Sequence, residues 1–197
     1  MVRKGPLGGV GLLLAPGASA DRTQAALVAI DEAVSAQGAT VARMDFPYRL
    51  AGRRAPDREP VLLATVGEEA AALAGESRLD PARLVLGGRS MGGRICSMAV
   101  ADGLPALALV LVSYPLHPPG RPERLRTAHF PRLAVPCLFV SGTRDAFGSP
   151  GELESATRAI PGPVTHVWLD GKDHGLRGCD ARVSEEVVAW LAAVVRS

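Results

Sequence analysis

The chain has 197 residues, 47% hydrophobic and 21% charged, with a formal net charge of +2. That length bounds a single domain able to bury a core, and the composition excludes a disordered chain. Near-neutral charge and 4% aromatic content argue against nucleic-acid recognition, and no apolar run approaches the ~20 residues that span a bilayer.

In chain order, the segment through Ala20 first imitates a secretory signal. Arg3 and Lys4 precede an apolar stretch, and Ala18-Ser19-Ala20 resembles a cleavage site. Gly8, Gly9 and Gly11 thin that stretch, and the reading favoured here is a buried strand over 10–15 followed by a turn. Asp21 and Gln24 then form a capping-box-like pair for a helix through Ala25, Ala26, Ile30 and Ala33, ending near Gly38. A strand over 40–45 follows, then a helix opened by Pro60, where a missing N–H costs nothing. The next strand, 83–86, leads into a helix that follows Ser90 and ends near Gly103. Strands over 106–113 and 136–141 come next, then a helix beginning around Ser149-Pro150-Gly151. A strand over 164–169 and a helix over 182–195 complete the pattern. Most of the strand runs are nearly continuous in Val and Leu rather than alternating, as strands covered on both faces require. Strand–helix alternation of this kind predicts a single-domain α/β fold over 1–197, with about six mostly parallel strands and helices on both faces.

Ligands of such a sheet bind beyond the carboxyl ends of its strands. After the third strand lies Gly88-Arg89-Ser90-Met91-Gly92, a G-x-S-x-G set between a strand and a helix. Its glycines permit the sharp turn that exposes a nucleophilic serine, and the helix N-terminus behind it offers free N–H groups to an oxyanion. A serine hydroxyl needs a base, itself oriented by a carboxylate. Asp145 follows the fifth strand in Ser141-Gly142-Thr143-Arg144-Asp145, and His174 lies in the loop after the sixth. The order Ser, Asp, His is the one this strand–turn–helix motif carries. His117, in Tyr114-Pro115-Leu116-His117-Pro118, is the competing base, since it too follows a strand. His174 is preferred, with His117, Tyr114 and Arg89 assigned to the substrate pocket. His129 and His166 read as structural histidines, and Asp170 and Asp173 as turn residues. Two oxyanion donors are expected, the N–H of Met91 and that of Ala18, in the loop after the first strand.

Three cysteines, Cys96, Cys137 and Cys179, form neither a C-x-x-C pair nor a disulfide framework. Cys96 and Cys137 read as small core residues, and the set suits a reducing, cytoplasmic compartment. No zinc spacing occurs, so neither a metal nor another cofactor is expected. Two arginine-rich stretches, Arg49, Arg53, Arg54 and Arg58, then Arg121, Arg124, Arg126 and Arg132, border strand ends. They read first as solvated faces and second as a lure for an anionic acyl substrate.

The stretches Gly87-Gly88-Arg89-Ser90-Met91-Gly92-Gly93-Arg94, Tyr114-Pro115-Leu116-His117-Pro118-Pro119-Gly120, Gly142-Thr143-Arg144-Asp145 and Gly171-Lys172-Asp173-His174 resemble the α/β-hydrolase superfamily. They are most similar to a small lidless group akin to dienelactone hydrolases and to testis-expressed hydrolase-like proteins. The resemblance implies Ser90, Asp145 and His174 as nucleophile, acid and base, a minimal fold without leading antiparallel strands, and no cap domain over 115–136. Two departures stand out: dienelactone hydrolases carry a cysteine nucleophile where this chain has Ser90, and the first-strand loop is Pro16-Gly17 rather than His-Gly. The expected reaction is hydrolysis of an ester or related acyl bond of a small-molecule substrate in an open site. Thioesterase, peptidase and non-catalytic interaction roles share the same residues and stay open.

Overall fold

Runs of Val and Leu without polar alternation must be covered on both sides, and the sheet they build is. The computed structural model describes residues 5–196; residues 1–4, the charged start of the signal-like segment, lie outside the described residues. Six strands, β1 (Gly11–Ala15), β2 (Thr40–Arg43), β3 (Leu84–Arg89), β4 (Ala108–Val112), β5 (Cys137–Gly142) and β6 (Val164–Leu169), pair in the order β2-β1-β3-β4-β5-β6. Every pairing is parallel. The inner strands are buried almost throughout, whereas the edge strands β2 and β6 are only half-buried.

The two-residue period of a strand divides these side chains between two cores. Leu12, Leu14, Val85 and Val110 face α1 (Ala25–Ser35) and α6 (Asp180–Val194), meeting Leu27 and Val187. Leu13, Leu86, Leu111 and Phe139 face the opposite way, toward Leu62 and Val66 of α3 (Glu59–Ser77) and Ile95 of α4 (Met91–Ala101). Each fully covered Leu or Val contributes roughly 1.5–3 kcal/mol, so the central strands dominate the stability of the fold. Cys96, Cys137 and Cys179 are all buried and unpaired, and burial pushes the Cys96 and Cys137 thiols up to about 12.

The expected single-domain α/β architecture is present, with differences at the joints. β3 runs on through Gly87 and Gly88 to Arg89 instead of stopping at Leu86. Glycine weakens an isolated strand, but here a Cβ at Gly87 would lie 2.3 Å from the Val110 carbonyl oxygen. The first helix has no capping box: it starts at Ala25. The Asp21 carboxylate accepts from the Thr23 N–H at 2.9 Å, and the Gln24 side chain turns away to accept from the Gly17 N–H at 3.1 Å. The box occurs at α5 (Pro150–Thr157), where Glu152 accepts from the N–H and hydroxyl of Ser149 at 2.8 and 2.6 Å. A short helix not foreseen, α2 (Pro47–Leu50), brings Tyr48 into the core. Between β4 and β5 there is one 3-10 turn, Phe130–Arg132, and no lid domain.

His129 and His166 are structural. Their Nε2 atoms meet the hydroxyls of Ser97 at 2.8 Å and Thr157 at 2.9 Å. Burial, with Arg94 and Arg132 adding to it, pushes His129 down to about 4, and burial lowers His166 as well. Between the ordinary histidine value of ~6.5 and about 4, the unfolded chain takes up a proton at His129 that the folded chain refuses. Stability should therefore fall on acidification through that window, by up to ~1.4 kcal/mol per pH unit from this residue. Melting temperatures recorded from pH 7 to 5 are expected to decline less steeply in His129→Gln than in the unaltered protein.

Candidate active site

The chain leaves β1 for β2 on one side and returns to β3 on the other, so the crevice between the carboxyl ends of β1 and β3 is a switch point. Ser90 stands there, between β3 and α4, with φ 52° and ψ −117°. This backbone is costly for a residue with a side chain. A hydrogen bond from its N–H to the Val112 carbonyl at 2.8 Å holds it. Space for the turn comes from the flanking glycines. A Cβ at Gly88 would lie 2.0 Å from the Ala15 carbonyl oxygen, and one at Gly92 2.2 Å from the same atom.

Two other strand ends converge on this corner. Asp145 follows β5 and is buried; its Oδ1 accepts from the Phe147 N–H at 2.8 Å. His174 follows β6. Its Nδ1 lies 2.8 and 3.0 Å from the two carboxylate oxygens of Asp145, and its Nε2 lies 2.9 Å from the Ser90 hydroxyl. Phe147 stacks on the imidazole with ring centroids 4.1 Å apart. The His174 carbonyl accepts from the Ser113 hydroxyl at 3.1 Å and from the Arg89 guanidinium. Backbone, ring face and both ring nitrogens are all held.

Opposite lies the loop after β1. Its Gly17 N–H is taken by Gln24 and its Ser19 N–H by the Tyr48 hydroxyl at 3.2 Å. Among the described residues, the N–H groups of Ala18 and Met91 have no hydrogen-bond partner. Both residues line a cavity of about 470 Å³ that also exposes Ser90 and His174. Among the described residues no group of three or more His, Cys, Asp or Glu side chains is placed to hold a metal ion. No helix among them is long and apolar enough to cross a membrane.

A sequence profile described as the alpha/beta hydrolase domain matches residues 9–194. The chain belongs to the α/β-hydrolase domain family. Solved structures agree on the fold. An alpha-beta serine hydrolase homologue from Coxiella burnetii superposes with a TM-score of 0.78 at 18% identity, covering 93% of this chain and 85% of that one. The esterase domain of a Rhodothermus marinus protein gives 0.73 at 18% identity, covering 98% and 90%. Dienelactone hydrolase from Anabaena variabilis gives 0.71 at 16% identity, covering 96% and 86%.

Within this hydrolase fold, the residues expected in the substrate pocket divide. Arg89 does line the cavity, but its guanidinium is committed to the His174 carbonyl, and burial lowers its pKa. Tyr114 and His117 are corrections, because neither lines the cavity. Tyr114 packs against Phe130 and Phe139, and its hydroxyl donates to the Arg126 carbonyl at 2.7 Å. His117 is buried, with Nδ1 2.8 Å from the Pro118 carbonyl. It stands apart from the Ser90–His174–Asp145 chain. Asp173 behaves as a turn residue, accepting from the Gly175 N–H at 2.8 Å. Gln24, Arg94, Pro115 and Phe147 line the cavity without having been singled out for it. Gln24 had a signal, since a polar residue so close to the first-strand loop can hold its N–H groups. Phe147 had none.

The contact with Ala15 generates a test. In Gly92→Ala the new methyl group must displace the Ala15 and Pro16 carbonyls, which lie 2.2 and 2.5 Å from its position. Backbone cannot yield cheaply, so a loss of about 2–4 kcal/mol in denaturant unfolding is expected. The same substitution at Gly67, where nothing lies within 4 Å, should be neutral or slightly stabilising.

Proposed function

We propose that this chain is a serine hydrolase that cleaves a carboxylic ester or related acyl bond through an acyl-serine intermediate. The observation that carries the reading is the unbroken hydrogen-bonded chain Ser90–His174–Asp145, opening on a cavity with two unpartnered N–H groups. Family membership and the esterase and serine hydrolase neighbours support the reaction class.

In this scheme Ser90 Oγ attacks the substrate carbonyl while His174 Nε2 takes its proton. The Nδ1–H donated to Asp145 fixes the tautomer that leaves Nε2 free to accept, and the carboxylate stabilises the imidazolium that forms. The oxyanion is received by the N–H groups of Ala18 and Met91, preorganised because their neighbours in the loop and helix are already bonded. Met91 begins an 11-residue helix, whose N-terminal field favours the developing negative charge. Protonated His174 then returns its proton to the leaving alcohol. Water attacks the acyl-Ser90, with His174 again the base, and free acid and serine are restored. No cofactor enters this scheme. The three unpaired thiols favour a reducing, cytoplasmic setting for it.

A fluorophosphonate probe and short p-nitrophenyl esters test the reading. The unaltered protein should label and turn over, and Ser90→Ala should do neither. Asp145→Asn should lower kcat by on the order of 10³–10⁴, because the amide favours the wrong imidazole tautomer. His117→Ala should keep most of the activity, and His174→Ala should lose it. Absence of both labelling and turnover in the unaltered protein would sink the enzyme reading in favour of a non-catalytic role. Faster cleavage of matched thioesters or amides would move the leaving group from alcohol to thiol or amine.

A further inference from the structure

The wall of the cavity next to Ser90 carries two arginines that the acyl-transfer chemistry does not use. Arg94 sits in the first turn of α4, its N–H bonded to the Ser90 carbonyl at 3.1 Å. Arg126 arrives from the β4–β5 connection. Its N–H donates to the Leu116 carbonyl at 2.8 Å, its own carbonyl accepts from Tyr114, and its guanidinium makes only a long contact, 3.4 Å, with the Pro115 carbonyl. Both side chains line the cavity that exposes Ser90, and both also line a second groove of about 380 Å³ beside it. They form the partition between the two.

Their charge is poorly compensated. No carboxylate is among the residues lining the first cavity. Arg94 has one acidic partner, half-exposed Glu59 at 3.0 Å, and its buried Nε has no hydrogen-bond acceptor. Among the described residues Arg126 has no ion-pair partner. Burial and then the neighbouring Arg94 both disfavour its charge. The contrast with Arg89 is informative: that guanidinium is bonded to a carbonyl and lies in the field of Asp180, Asp145 and Asp173. Two like charges brought together at a cavity wall, one with an unused buried donor, are stabilised by an anion that both can reach. The planar fork of a guanidinium suits a carboxylate.

Resting on the acyl-transfer reading above, we propose that the substrate is an ester carrying a free carboxylate, which Arg94 and Arg126 hold while Ser90 attacks the ester carbonyl. The carboxylate can belong to the acid side or to the alcohol side of the ester. Substrate pairs matched in size separate the two: 4-nitrophenyl hydrogen adipate against 4-nitrophenyl hexanoate, and 4-acetoxybenzoate against methyl 4-acetoxybenzoate.

In one of these pairs kcat/KM for the anionic member should exceed that of the neutral member by on the order of 10- to 100-fold, the worth of a hydrogen bond to a charged group. That pair identifies the side. Arg94→Gln and Arg126→Gln should each lower the anionic-to-neutral ratio by roughly tenfold, carried mainly in KM. Glu59→Gln, which removes the one competing carboxylate, should raise the ratio, a change that mere loss of packing would not produce. A ratio at or below one in both pairs, with Ser90 still labelled by fluorophosphonate and neutral esters still cleaved, overturns the proposal and leaves the acyl-transfer reading standing. Arginine variants that slow both members of a pair equally overturn it too. Loss of labelling and of all ester cleavage in the unaltered protein removes both readings together.

Discussion

Two glycines flanking Ser90, Gly88 in β3 and Gly92 in the first turn of α4, pack against the same atom, the carbonyl oxygen of Ala15 at the end of β1. This contact ties together parts of the site that are far apart in sequence. It brings the first turn of α4 against the loop that carries Ala18, so that Ala18 and Met91 line one cavity with Ser90. It also accommodates the unusual backbone of Ser90, whose cost of order 1–3 kcal/mol is offset by the buried strands on either side. A methyl group at either glycine would push the two halves apart, and the strained turn would lose its reason to persist.

From that contact the remaining parts follow in layers. β4 supplies the Val112 carbonyl that holds Ser90 and, one residue on, the Ser113 hydroxyl that holds the backbone of His174. β5 supplies Asp145 and β6 leads to His174. Each group is fixed by an element different from the one that delivers it. The hydrogen-bonded chain thus depends on the register of the whole sheet, and parallel pairing of β3, β4, β5 and β6 is what brings their carboxyl ends to one edge.

Much of this was legible in the sequence, for physical reasons that also explain what was not. Continuous Val and Leu runs have one economical solution, a sheet covered on both faces, so the strands were found to within a few residues. The meeting of Ser90, Asp145 and His174 was legible because each stands at a strand's carboxyl end, and the topology makes such ends neighbours. Tyr114 and His117 stand at an equivalent position, and sequence pattern does not say whether a side chain there turns to the cavity or into the core. Packing against Phe130 and Phe139 decides it for Tyr114. Gln24 looked like a capping residue because its spacing from Asp21 fits one. The demand of the Gly17 N–H for an acceptor overrode that local preference. Among the arginines, spacing did not distinguish Arg126, on the cavity wall, from exposed Arg121 and Arg124.

The imidazole of His174 is gripped at its edge by Asp145, on its face by Phe147 and through its carbonyl by Ser113 and Arg89. An unrestrained histidine would sample several rotamers, and in the acyl transfer proposed above, freezing them at the moment of reaction would add an entropic cost. Here that ordering is completed once, when the chain folds, by contacts made entirely within the protein. The ring is therefore held in position beside the cavity, and in the proposed reaction the substrate need only align itself.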